Sequence, residues 1–258
     1  MAQSYRQIDR ELARRIRLVM TDVDGTLTPG GDSLSSAVLE AIRRFEEGGV
    51  MVGLVSGRTL PGLESLASDV GINGPIVAEN GGVAQHKAGG EPADLGYSRQ
   101  PAREALEKLK TLFPGAIEER EDNKYRLVDV VFRTHGIGTD ELRRHLEDVE
   151  LLDSGYILHL MQKGVSKGKT LMKLLGEIGD GTLSPTQVMV CGDSLTDLSL
   201  FEVFPHSVLV ANPGLSSEHR EILRNVAKYA SERPFGEGFA EVAFHILDGR
   251  LDQDAFKG

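Results

Sequence analysis

Cysteine occurs once in this chain of 258 residues, at Cys191, which excludes an intramolecular disulfide and suits a reducing compartment. The run before it, Val188 to Val190, is apolar, so the thiol reads as core filling and not as a reactive group. No stretch approaches the roughly 18 apolar residues that a membrane-spanning helix needs. The first residues also lack the apolar segment of a secretory signal, so a cytoplasmic protein without a membrane partner is expected. Positive charge is the scarcer sign, with 29 Lys and Arg against 39 Asp and Glu and a net charge of -10. That balance argues against a nucleic-acid partner, and an anionic ligand would have to be drawn in locally by a metal or a few cations.

The chain is organised around the stretch LVMTDVDGTLT at residues 18–28. Leu18, Val19 and Met20 read as a buried parallel strand that stops at two aspartates one residue apart, Asp22 and Asp24. In an open parallel α/β sheet, ligands bind beyond the carboxyl ends of the strands. Two carboxylates so close repel unless a metal or a proton lies between them.

The same strand-then-polar pattern recurs. Residues 50–55 are apolar and run into Ser56-Gly57-Arg58; residues 76–78 run into Glu79-Asn80-Gly81; residues 188–191 run into Gly192-Asp193-Ser194-Leu195-Thr196-Asp197. Between them lie helical patterns: one from Ser35 with Val38, Leu39, Ile42 and Phe45 on a face, one over 59–70, and one after Lys167 with Leu171, Leu174, Leu175 and Ile178 aligned. Near the start, Ile8, Leu12 and Ile16 share helical spacing and predict a short surface helix. Residues 207–210 and 227–230 read as strands, 215–226 as a helix, and the Gly236 and Gly238 pair precedes a last helix through Leu247.

Residues 83–161 differ in character. A glycine-rich polar stretch leads to a helix over 102–113, an alternating strand over 125–133, a helix over 139–149 and a strand over 156–161, with no new strand-end acid motif. This order predicts a separate small sheet backed by two helices. Polar residues on its open face, Arg120, Lys124, Arg126, Arg133 and His159, are candidates for reading a substrate, although His159 lies between apolar neighbours and also reads as a core histidine.

The DVDGT pentad resembles the nucleophile motif of the haloacid dehalogenase superfamily, and the later segments match that superfamily's order. The GPxxxENG pattern is similar to that of sucrose-phosphate, mannosylglycerate-phosphate and archaeal phosphoglycolate phosphatases, and also of phosphomannomutases. The resemblance implies a Rossmann-like parallel core formed by 1–82 and 162–258, with a smaller α+β cap inserted over 83–161. It implies Asp22 as the nucleophile, Asp24 as general acid and base, and Ser56, with Gly57 and Arg58, as the phosphate-binding loop. Lys167 would be the charge-neutralising lysine, with Lys163 and Lys169 nearby as competitors. Mg²⁺ would be held by Asp22, Asp24, Asp193 and Asp197. Thr196 stands where the family usually has asparagine and offers a hydroxyl in place of the amide. Glu79 and Asn80 would orient either the hinge or the substrate, or form a plain hydrogen-bonded turn. The implied activity is a Mg²⁺-dependent phosphatase of a small phosphomonoester, a sugar phosphate or phosphoglycolate. A hexose phosphomutase is the alternative enzyme, and an idle phosphate- or metal-binding module the alternative outside catalysis.

Overall fold

Two sheets, one of eight strands and one of four, carry the chain in a computed structural model that describes residues 1–31, 33–155, 157–176 and 183–251. The first part runs β1 (Gln3–Ser4), α1 (Arg10–Arg15), β2 (Leu18–Thr21), α2 (Ser36–Glu47), β3 (Met51–Val55), α3 (Leu60–Val70), β4 (Ile76–Ala78) and β5 (Val83–Gln85). The middle part runs α4 (Gln100–Leu112), β6 (Ile117–Glu119), β7 (Val130–Thr134), α5 (Thr139–Arg143), β8 (Val149–Asp153) and β9 (Leu158–Gln162). The last part runs α6 (Lys167–Leu175), β10 (Val188–Gly192), α7 (Leu198–Val203), β11 (His206–Ala211), α8 (Ser217–Val226), β12 (Tyr229–Pro234) and α9 (Phe235–Arg250).

The large sheet has the order β1-β12-β11-β10-β2-β3-β4-β5, parallel throughout except for the β4–β5 hairpin. Its strands read as unbroken apolar runs because both faces are covered. Val19 packs into one layer with Val38 and Phe45 of α2 and Phe239 of α9, whereas Leu18 and Met20 face Leu171 of α6 and Leu200 of α7. From β2 the chain builds outward to β3 and β4 on one side. From β10 it builds to β11 and β12 on the other, so the strand order reverses between β2 and β10. Ligands bind at such a reversal in open parallel sheets.

The small sheet, β6-β7-β9-β8, is antiparallel. One face buries Val130, Phe132, Leu158 and Leu160 against Ala102, Leu106 and Leu109 of α4 and Leu142 of α5. Alternation along the strands sends Val131, Arg133 and His159 to the opposite face. The fold is therefore a parallel α/β core with a smaller α+β cap inserted, as expected.

Several local expectations are corrected. Leu39 is 41% exposed, because it follows the inward-facing Val38 by about 100° around α2. The strand expected over 125–133 begins only at Val130. Residues 121–125 form a 3₁₀ turn, and the Asn123 side chain takes the place of a strand partner, its Nδ2 donating to the Val131 carbonyl at 2.9 Å and its Oδ1 accepting the Val131 amide at 2.7 Å. The helix expected over 139–149 ends at Arg143, and Val149 instead opens β8, where Val149 and Leu151 bury against the cap helices. Val83 belongs to the large sheet through the β4–β5 hairpin, and β9 extends to Gln162. Gly236 and Gly238 lie inside the first turn of α9, and β12 runs to Pro234 rather than stopping at Ala230. Tyr156 and Ile178, assigned to a strand and a helix face in the sequence, lie outside the described residues. Among the described residues no helix is long and apolar enough to cross a membrane.

Candidate active site

Three neighbouring strands, β10, β2 and β3, end level with one another. Cys191 pairs with Thr21 and Thr21 with Leu54, so the residues that follow bring Asp193, Asp22 and Ser56 to one edge. All three are buried. Asp22 accepts the Val23 amide on Oδ1 at 2.8 Å. Asp193 accepts the Thr26 hydroxyl on Oδ1 at 2.8 Å and the Asn212 amide on Oδ2 at 2.7 Å. Gly25 permits this approach, since it has φ +86° and a Cβ there would stand 2.2 Å from Asp193 Oδ2.

Lys167 opens α6 with its side chain fully buried, whereas Lys163 and Lys169 are exposed. Its ammonium lies 2.7 Å from Asp197 Oδ1 and 3.3 Å from Asp22 Oδ2. Burial opposes that charge, but the two carboxylates outweigh it and hold the lysine above its ordinary pKa. The Thr196 hydroxyl lies 3.3 Å from the same nitrogen and 2.8 Å from Ser194 Oγ. Asp197 Oδ2 accepts the backbone amides of Asp193 and Ser194 at 3.0 and 3.1 Å. Both Asp197 oxygens are thus engaged by protein donors, which suits orientation of Lys167 and of the loop.

Asp22, Asp193 and Asp197 each offer a carboxylate oxygen within 4.8 Å of the others. Burial pushes Asp22 and Asp193 above the ordinary carboxylate range; the Lys167 ammonium pulls both back in part, while neighbouring aspartates add to the rise. One ammonium against three buried carboxylates leaves excess negative charge. An all-oxygen donor set of this kind fits a hard divalent cation.

Asp24 sits at the rim. Arg58 grips it, Nε and Nη2 each 2.7 Å from one carboxylate oxygen, and Nη2 also donates to the Gly31 carbonyl at 2.8 Å. Arg58 thus holds Asp24 while lining the same cleft as Ser56 and Gly57. Cys191 is buried and its thiol is pushed up to about 12, by burial and then by Asp197, in keeping with the core reading.

The site opens into a cleft of about 890 Å³ between the two sheets. Asp22, Asp24, Ser56, Gly57 and Asn80 line it from the core, and Arg120, Arg126, Arg133 and His159 from the cap. Lys124 does not line it; its ammonium lies over the Tyr125 ring, 4.9 Å from the centroid. Glu79 is also absent from the lining. Its backbone adopts φ +50°, and its carboxylate accepts the amides of Leu127, Val128 and Asp129 at 2.8–3.1 Å. Of its two expected tasks, substrate contact is corrected, and the carboxylate joins core to cap.

Sequence reasoning missed Asn212, His219, Asp122 and Asp129. Asn212 follows β11 and was findable by the strand-end rule that located Asp22. His219 on α8 carries no such signal, although it lines the cleft. Nor do Asp122 and Asp129, whose partners are set by cap pairing.

Residues 19–129 and 114–232 match a family described as haloacid dehalogenase-like hydrolase. A phosphoglycolate phosphatase of Methanoculleus marisnigri is 35% identical over 235 residues, covering 88% of this chain and 94% of that protein. Another, of Methanospirillum hungatei, is 32% identical over 231 residues, covering 88% and 95%. The crystal structure of Thermoplasma acidophilum 0175 superposes with a TM-score of 0.77 at 28% identity, covering 90% of this chain and 98% of that one. The sucrose-phosphatase of Synechocystis, solved with sucrose and phosphate, shares the fold with a TM-score of 0.69 at 19% identity, covering 90% of this chain and 98% of that one.

Proposed function

The chain belongs to the haloacid dehalogenase-like hydrolase family and is a phosphatase, and from that premise we propose that it hydrolyses a small phosphomonoester through an aspartyl-phosphate with the aid of Mg²⁺. Phosphoglycolate is the first substrate to consider, given the relatives above, and sugar phosphates the second. The observation that carries the reading is the Lys167 ammonium seated between Asp22 and Asp197 at the meeting of three parallel strand ends.

Asp22 attacks phosphorus as the bond to the leaving oxygen breaks, and becomes the aspartyl-phosphate. Lys167 neutralises the carboxylate before attack and the phosphoryl oxygens during it. Ser56 presents a hydroxyl to a phosphoryl oxygen. Asp24 gives a proton to the leaving oxygen and then takes one from the water that attacks phosphorus, which frees Asp22. Arg58 holds Asp24 at the mouth of the site between these events. Asp22, Asp193 and the Asp24 backbone carbonyl, with Asp197 behind them, would hold Mg²⁺, which would neutralise charge on carboxylate and phosphate.

The relatives bear the name of a phosphatase, which favours hydrolysis over the mutase alternative. Incubation of the purified protein with Mg²⁺ and phosphoglycolate, and separately with hexose phosphates, should release inorganic phosphate. Absence of release from every ester, p-nitrophenyl phosphate included, would overturn the reading.

A further inference from the structure

Asp129 lies just before β7, fully buried, and no sequence motif marks it. Its Oδ1 accepts from Arg126 Nη1 at 2.7 Å, and its Oδ2 lies 2.7 Å from His159 Nδ1. Burial works against its charge, but the His159 hydrogen bond and the Arg126 guanidinium outweigh it and hold the carboxyl below the usual range. An ionised carboxylate only accepts, so the proton between the two groups lies on Nδ1 of His159. That leaves Nε2 as the nitrogen open to other partners, and among the described residues it has none.

The ring is also fixed in place. His159 sits on β9, on the cap face turned towards the core, and lines the cleft. A Cβ on Gly57 would stand 3.2 Å from His159 Cε1, so the ring rests against the loop that follows Ser56. The Asn80 amide nitrogen packs 3.2 Å from Nδ1; with that nitrogen protonated towards Asp129, this is a packing contact and not a hydrogen bond. The second partner of Asp129 reaches the same loop, since Arg126 Nη1 donates to the Gly57 carbonyl at 3.0 Å. One buried carboxylate thus sets two cap side chains against the phosphate loop.

We propose that Asp129 is a positioning residue that fixes the tautomer and orientation of His159, so that Nε2 is the cap's hydrogen-bonding point for the leaving part of the substrate. The proposal rests on the phosphatase reading. A carboxylate behind one ring nitrogen aims the other, and the aimed nitrogen faces the space where the ester's organic part must lie.

Nitrogen-15 spectra of the histidine-labelled full chain test the first half without any variant. His159 should show a protonated Nδ1, and its Nε2 signal should move when phosphoglycolate is added to protein stripped of metal and unable to turn over. A bare Nδ1 would overturn the proposal, as would an Nε2 signal indifferent to saturating phosphoglycolate. Kinetics with Mg²⁺ test the second half. Asp129→Asn and His159→Gln should each lower kcat/KM for phosphoglycolate at least tenfold, and by a larger factor than for p-nitrophenyl phosphate. The double variant should lose no more than the worse single one. Losses that multiply would show that Asp129 acts independently of His159 and would overturn the proposal. An inactive wild-type protein would count against the phosphatase reading alone, because the spectral result stands without turnover.

Discussion

Arg58 and Asp24 form a two-pronged ion pair at the mouth of the site, with both contacts at 2.7 Å. This guanidinium holds the residue proposed to move protons. Arg58→Ala should therefore behave like a mild form of Asp24→Asn. General acid–base groups contribute roughly 10²- to 10⁴-fold, and Arg58→Ala should cost about tenfold or more on alkyl esters through kcat. An ester whose leaving group needs no proton should suffer less. A change confined to KM, equal for both esters, would return Arg58 to the phosphate.

Asp22→Asn should keep the fold and lose turnover by several orders of magnitude, because an amide is no nucleophile and ligates a hard cation poorly. Chelation should abolish activity and Mg²⁺ restore it, with Ca²⁺ supporting little. Phosphate release in the presence of chelator at the untreated rate would exclude the mechanism.

The cap substitutions divide by position. Arg133 faces the cleft, so Arg133→Ala should reduce kcat/KM for the preferred ester by more than it does for p-nitrophenyl phosphate. Lys124 lies outside the cleft, and Lys124→Ala should leave both within about twofold, since surface substitutions of this kind have small effects. Equal sensitivity at the two positions would show that the cleft face does not govern selectivity.

Glu79 carries the clearest pH signature. Its carboxyl is held up at about 6, chiefly by burial and then by the Asp129 charge, with three backbone amides offsetting part of the rise. The folded state then binds its proton more tightly than the unfolded chain, whose glutamate titrates near about 4.3. Stability from this group is present below that value and is lost as pH rises through about 6, amounting to about 2 kcal/mol. Urea unfolding of wild type and Glu79→Gln at several pH values between 4 and 7.5 should show this extra fall only in the wild type. Parallel curves would show that Glu79 does not titrate in that window.

What the sequence determined by itself was the core and which polar residues close its strands. Asp22, Ser56 and Asp193 were legible because each closes an apolar run, and in a parallel sheet covered on both faces the only polar exit for a strand is its end. Local rules sufficed there, since run length and the first polar residue lie within a few positions of one another. The tertiary structure alone decided which of three lysines is buried between carboxylates, that Arg58 serves Asp24, that Glu79 ties core to cap, and that Asp129 stands behind His159. Each of those is a contact between residues from different elements, set by strand register and by how the cap rests on the core. Lys163, Lys167 and Lys169 look alike in sequence, and only the position of α6 against β2 and β10 gives one of them two carboxylates to neutralise. The cap was least legible for the same reason: its short antiparallel strands carry period-2 patterns that say which face a residue takes, but not which partner it meets across the cleft.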